Sequence, residues 1–225
     1  MSRLYDLVVF DWEGTLGDPL GHVLLLLEEQ AKILGFPSFD EQLARRCVVL
    51  GLDRAVTKLF PTLALYQHER LLSGVQHALH ANHGENCLFP GATQLIVQMQ
   101  QAGIHLAIAT NKGPQALQRA LQLTGLEDFF PVTRAAGQAP AKPCPQMLED
   151  IMDAFGVPPS ATLMIGDSVA DIEMASLAHV EGIGVDFYHQ QADDLSAAGA
   201  RHVFHDYAQI GRYLALPAYV NNDVS

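Results

Sequence analysis

VVFDWEGTLGDP, residues 8–19, sets an unbroken apolar run against two carboxylates, Asp11 and Glu13, followed at once by Gly14 and Thr15. Val8, Val9 and Phe10 show no polar alternation, the pattern of a strand buried on both faces. Gly14 lets the backbone turn sharply, and Asp18-Pro19 has the form of a helix start. Two acids at the carboxyl end of a buried strand repel each other and lose hydration. They persist ionised only where something compensates, most simply a cation.

Working outward, short apolar runs recur at residues 4–11, 105–110, 132–135, 162–166 and 182–186, with a last short one at 202–204. Amphipathic segments fall between them at 93–101, 115–123, 146–155 and 172–178. This alternation predicts an α/β fold, a Rossmann-like, doubly wound parallel sheet with helices on both faces. One interval breaks the rhythm. Residues 18–89 hold only helical patterns, interrupted at Gly35-Phe36-Pro37, Gly51 and Pro61, and read as an inserted α-helical domain. The expected organisation is a core of residues 1–17 and 90–216, a helical cap of 18–89, and a flexible tail of 217–225.

In a parallel α/β sheet, ligands bind beyond the carboxyl ends of the strands. The first strand ends in Asp11-Trp12-Glu13-Gly14-Thr15, and HLAIAT ends in Thr110-Asn111-Lys112. A loop before a helix carries Ala141-Lys142-Pro143, and LMIGD ends in Asp167-Ser168 with Asp171 one turn into the next helix. Brought to one rim, these residues combine several carboxylates with a hydroxyl and an ammonium. A hard divalent cation with oxygen ligands, Mg²⁺, is the economical way to keep the acids ionised. A metal with a Lys and a Thr at element ends makes a phosphoryl-binding site, and one Asp facing the phosphoryl group is a nucleophile candidate.

Bulk properties exclude other classes. Asp plus Glu number 25 against 13 Lys plus Arg, a formal net charge of -12, which argues against nucleic acid or an anionic membrane as the partner. The longest aliphatic run, residues 23–27, is too short to span a bilayer, and MSRLYDLVVFD lacks the form of a signal peptide. Cys47, Cys87 and Cys144 have no CxxC spacing and read as free thiols of a cytoplasmic protein. The oligomeric state is not legible.

Four segments in order, FDWEGTL, AIATNK, AKPCPQML and MIGDSVADIEMA, resemble the motifs of the haloacid dehalogenase superfamily, and the resemblance covers the whole chain. Within it, VLGLDRAVTKLFP and LFPGATQLI are similar to the phosphoglycolate phosphatases and related small-molecule phosphatases. The resemblance implies an enzyme, a Mg²⁺-dependent phosphoric monoester hydrolase acting on a small phosphorylated metabolite through an aspartyl-phosphate. It implies that Asp11 attacks phosphorus and that Asp11, the carbonyl of Glu13 and Asp167 hold the metal. Asp171 would orient Lys142 or a water on the metal. Thr110, Asn111, Lys142 and loop amides near Gly14 would bind phosphoryl oxygens, and Glu13 would serve as general acid and base.

The pattern departs at residue 13, where the family's phosphatases carry Asp and this chain has Glu. The extra methylene predicts a displaced proton shuttle and slowed turnover. It also leaves open a catalytically impaired protein that binds or senses a phosphometabolite. A mutase acting on a sugar phosphate also stays open. Elsewhere bland readings win: His77, His80 and His83 near Cys87 read as a solvated helix face, and Cys144 as an inert loop thiol. Neither Lys32 nor Lys58 is marked out as a Schiff-base lysine. Arg54 and Lys58 suit a substrate carboxylate and plain exposure equally well.

Overall fold

The computed structural model describes residues 4–81 and 87–220. In chain order the elements are β1 (Leu7–Phe10), α1 (Pro19–Ile33), α2 (Glu41–Val48), α3 (Leu52–Leu59), α4 (Leu65–Ala81), α5 (Ala92–Gln101) and β2 (His105–Ala109). There follow α6 (Pro114–Thr124), β3 (Val132–Arg134), α7 (Gln146–Phe155), β4 (Thr162–Gly166), α8 (Val169–Leu177) and β5 (Glu181–Val185). The chain closes with α9 (Ala192–Ala197), β6 (Val203–Phe204), α10 (Tyr207–Tyr213) and α11 (Pro217–Val220). They pack as two compact units, Met1–Gly17 with Leu88–Ser225, and Asp18–Cys87.

The first unit is the expected α/β fold. Its six strands are all parallel, in the order β3-β2-β1-β4-β5-β6. β1 lies at the centre, with Phe10 registered against Ile108 of β2 and Ile165 of β4. All four β1 side chains are fully buried because the pleat sends them to two different cores. Val8 and Phe10 join a cluster with Leu95, Met99 and Leu121 from α5 and α6, while Leu7 and Val9 pack with Met147, Ile151 and Met174 from α7 and α8. Helices on both faces explain the unbroken apolar run, since no strand position of β1 meets water.

Among its described residues the second unit is built from the helices α1 to α4 joined by short loops. Asp18 caps α1 by accepting from the Gly21 amide at 2.7 Å, with Pro19 in the first turn. The same carboxylate accepts from Arg45 Nη1 at 2.9 Å, which ties the start of α1 to α2. Leu26, Leu27 and Ala31 of α1 bury against Val56, Phe60, Leu71 and Val75.

Two boundaries differ from the sequence expectation. Leu88 and Phe89 pack with the α/β unit: Phe89 is buried there and its amide donates to the Leu16 carbonyl at 3.0 Å. Residues 217–220, expected to be a loose tail, form α11 because the Tyr219 ring packs against Gly211 of α10.

Candidate active site

The carboxyl end of β1 runs into a tight turn built around one carbonyl. The Trp12 carbonyl oxygen accepts from the amides of Leu16 and Gly17 at 2.9 and 2.8 Å, and the Trp12 ring is fully buried beneath the turn. The Tyr207 hydroxyl donates to the Thr15 carbonyl from α10. Gly14 takes φ +81°, a conformation that costs a residue with a Cβ. Its amide donates to the Gly17 carbonyl at 3.0 Å, so it serves the turn. The sequence expectation sets loop amides near Gly14 against a phosphoryl group; in this structure the Gly14 amide closes the turn.

This turn delivers Asp11 into a buried acid–base cluster. Lys142 Nζ donates to Asp11 Oδ1 at 2.6 Å and to Asp171 Oδ1 at 2.5 Å, and all three residues are buried. The Asn111 side chain fixes the loop that carries the lysine, accepting from the Lys142 amide at 3.1 Å. Asp171 is committed on both oxygens, because Oδ2 accepts from the Ser168 hydroxyl at 2.6 Å and the Ser168 amide at 3.0 Å. Ser168 in turn caps α8, so a reciprocal capping box at the helix start doubles as the clamp on Asp171.

Asp167, at the end of β4, is placed differently. It accepts from the Thr15 hydroxyl at a long 3.4 Å, and no ammonium or guanidinium among the described residues pairs with it. Burial, then repulsion from Asp11 and Asp171, pushes its carboxyl up to about 7. Burial likewise raises Asp11, to about 6, against the pull of Lys142. Lys142 itself is raised, since the two carboxylates together outweigh the burial that opposes its charge. Oxygens of Asp11, Asp167 and Asp171 lie within 4.8 Å of one another, and Lys142 sets one positive charge against three negative ones. That donor set of buried carboxylate oxygens with an uncompensated charge fits a hard divalent cation.

A sequence profile of haloacid dehalogenase-like hydrolases matches residues 5–179. The chain belongs to this family. It is 30% identical over 222 residues to a phosphoglycolate phosphatase of Rhodospirillum rubrum, covering 93% of this chain and 91% of that one. To a phosphoglycolate phosphatase of Mesorhizobium japonicum it is 32% identical over 195 residues, covering 83% and 84%. Among solved structures, a haloacid dehalogenase family hydrolase from Deinococcus radiodurans, crystallised with phosphate and sodium, superimposes with a TM-score of 0.66. That match covers 97% of this chain and 98% of the other at 19% identity, which speaks for the fold. The expectation of an enzyme from the phosphatase branch of the haloacid dehalogenase-like hydrolases stands with these relatives.

The remaining residues named from the sequence fall into two groups. Thr110 is buried at the end of β2, where its hydroxyl accepts from the Lys112 amide at 3.2 Å; Glu13 reaches across to Lys112. His77, His80, Arg54, Lys58 and Lys32 are exposed on the helical unit and join no acid cluster among the described residues. His83 lies outside the described residues, and Cys144 is half-buried with its amide donating to the Ala141 carbonyl. No described helix is long and apolar enough to cross a membrane. Sequence reasoning missed the clamp by Ser168, although the Ser-x-x-Asp spacing of 168–171 signals a capping box. It also missed Tyr207, whose distance along the chain from Thr15 leaves no local signal.

Proposed function

We propose that this hydrolase is a Mg²⁺-dependent phosphatase that cleaves a small phosphomonoester through a phosphoryl group carried on Asp11. The observation that carries the reading is the Lys142 ammonium shared between Asp11 and Asp171, with Asp167 beside them. Lys142 aligns the Asp11 carboxylate and stands ready to meet phosphoryl oxygens. The Asp11 carboxylate attacks phosphorus, the bond to the leaving alkoxide breaks, and Glu13 gives that oxygen a proton. Glu13 then takes a proton from water, which attacks the aspartyl-phosphate and restores Asp11. Thr110 and the Asn111 amide group support the transferring oxygens. Asp171, held on both oxygens, orients Lys142. Mg²⁺ held by Asp11, Asp167 and the carbonyl of Glu13 would supply charge neutralisation at the phosphoryl group.

Residues 18–87 serve as the cap that selects the leaving group, and the enzyme works as a cytoplasmic protein on a free metabolite. The named activity of the relatives makes phosphoglycolate, a small phosphorylated carboxylic acid, the first substrate to try. The test is phosphate release from a panel of phosphomonoesters headed by phosphoglycolate, with and without Mg²⁺. Mg²⁺-dependent release from at least one alkyl phosphate is expected. No release from any of them by folded protein with Mg²⁺ would contradict the reading.

A further inference from the structure

Tyr207 lies outside the four motif segments, and the reaction above gives it no part, yet its hydroxyl donates to the Thr15 carbonyl inside the turn after β1. Thr15 is fully buried, and among the described residues no backbone amide donates to its carbonyl. A buried carbonyl that loses its donor is left with an unmet hydrogen bond, so the phenol selects one orientation of the peptide between Thr15 and Leu16. Thr15 also presents its own hydroxyl to Asp167 Oδ1 at 3.4 Å, and Gly14 just before it leaves no room for a Cβ beside Asp167 Oδ2. The tyrosine stands on a fixed base. Its ring packs against Phe187 with centroids 4.9 Å apart, and its Cβ faces Gly91. At the other end of α10 the Tyr213 hydroxyl donates to Glu181 Oε1 at 2.6 Å, an oxygen that also accepts from the Tyr5 hydroxyl at 2.7 Å. The helix is thus tied at one end to the amino side of β1 and β5, and at the other to the turn that follows Asp11.

We propose that Tyr207 is a positioning residue: by holding the Thr15 carbonyl it sets the turn against Asp167 and so fixes the metal-fitting side of the site. This inference rests on the reading of Asp167 as a Mg²⁺ ligand given above. It adds that a helix 192 residues further along the chain helps to make the acid cluster a cation site. A hydroxyl that acts through Thr15 on Asp167 changes how tightly the cation is held, which a contact serving only the fold does not.

The test is Tyr207→Phe, which removes the hydroxyl and keeps the ring. Mg²⁺ binding is read by isothermal titration calorimetry, and phosphate release from an alkyl phosphate is followed across Mg²⁺ concentrations. The dissociation constant for Mg²⁺ is expected to rise by about fivefold, the net worth of one hydrogen bond. The Mg²⁺ concentration for half-maximal release should rise in parallel, while kcat at saturating Mg²⁺ falls by no more than about twofold. A lowered melting temperature with the affinity for Mg²⁺ unchanged would overturn the proposal. Thr15→Val, which removes the hydroxyl facing Asp167, should also weaken Mg²⁺ binding, and Tyr207→Phe placed on it should cost less than it does alone. Additive losses in the double variant would overturn the proposal too. Should Tyr207→Phe fail to fold, Phe187→Leu, which loosens the seat of the Tyr207 ring and leaves its hydroxyl, is read by the same criteria. A wild type that binds no Mg²⁺ would overturn this inference together with the metal-dependent reading above. A wild type that binds Mg²⁺ but releases no phosphate would overturn the phosphatase reading alone, and calorimetry on the variants then decides the inference.

Discussion

A Cβ placed on Gly14 would stand 2.0 Å from Asp167 Oδ2. The turn after β1 and the end of β4 thus approach each other with room for a hydrogen atom and nothing larger. Gly14→Ala must both adopt a backbone at φ +81° and displace the Asp167 carboxylate. The backbone alone costs about 1–2 kcal/mol. Displacement of a reacting group by about 1 Å costs on the order of 10²-fold in rate. Gly14→Ala is therefore expected to fold with a lowered melting temperature and to lose about 10²-fold or more in kcat. A variant as active as the wild type would show that Asp167 plays no part in the site.

The electrostatics of Asp167 set a pH dependence. Its carboxyl is raised from 3.8 to about 7, chiefly by burial, so without metal the folded protein holds a proton that the unfolded chain has released. Stability from this group is fully present below the ordinary carboxylate range and is lost as pH rises towards 7. Asp11, raised to about 6, adds in the same direction. A cation needs both acids ionised, so Mg²⁺ should raise the melting temperature more at about pH 7.5 than at about pH 5. Asp167→Asn should flatten the metal-free pH profile and shrink the Mg²⁺ shift. Thermal melts at the two pH values decide it. A Mg²⁺ shift unchanged in Asp167→Asn would remove that residue as a ligand.

At Glu13 two effects oppose each other. Judged by side-chain length alone, Glu13→Asp should speed an impaired shuttle. The 2.7 Å contact with Lys112 works against this, because an aspartate would end one methylene short of the position the glutamate takes. Glu13→Asp is expected to lower kcat on alkyl phosphates by about tenfold, with a much smaller change on nitrophenyl phosphate. Steady-state kinetics on the two substrates check it. A faster Glu13→Asp on alkyl phosphates would restore the view of a chain slowed by its glutamate.

Much of this was legible in the sequence because it is written in short-range pattern. Val8 to Phe10 carry no polar alternation since helices cover both faces of β1, and that suffices to place Asp11 at a strand end. The spacing of Asp167 and Asp171 across a strand–helix junction likewise brings both to the rim. Contacts between distant segments were not legible. The Asn111 side-chain oxygen anchors the Lys142 loop 31 residues further on, a contact that residue identity does not encode. The Gly14 amide is taken by Gly17, a detail of turn closure that residue identity does not encode. Glu13 and Lys112 lie 99 residues apart, and only the β1–β2 register makes them neighbours.

The central claim is that Asp11 carries the phosphoryl group. Its carboxylate is held by Lys142 at the end of β1 with the metal-fitting acids around it; Asp171 shares the lysine and the cluster, but its other oxygen is taken by Ser168. The most direct measurement is intact mass after rapid acid quench with a labile phosphodonor and Mg²⁺, followed by peptide mapping. A single phosphoryl adduct on the peptide containing Asp11 is expected for the wild type, and none for Asp11→Asn, because an amide is a poor nucleophile. An adduct that forms equally on Asp11→Asn, or that maps to another residue, would contradict the account.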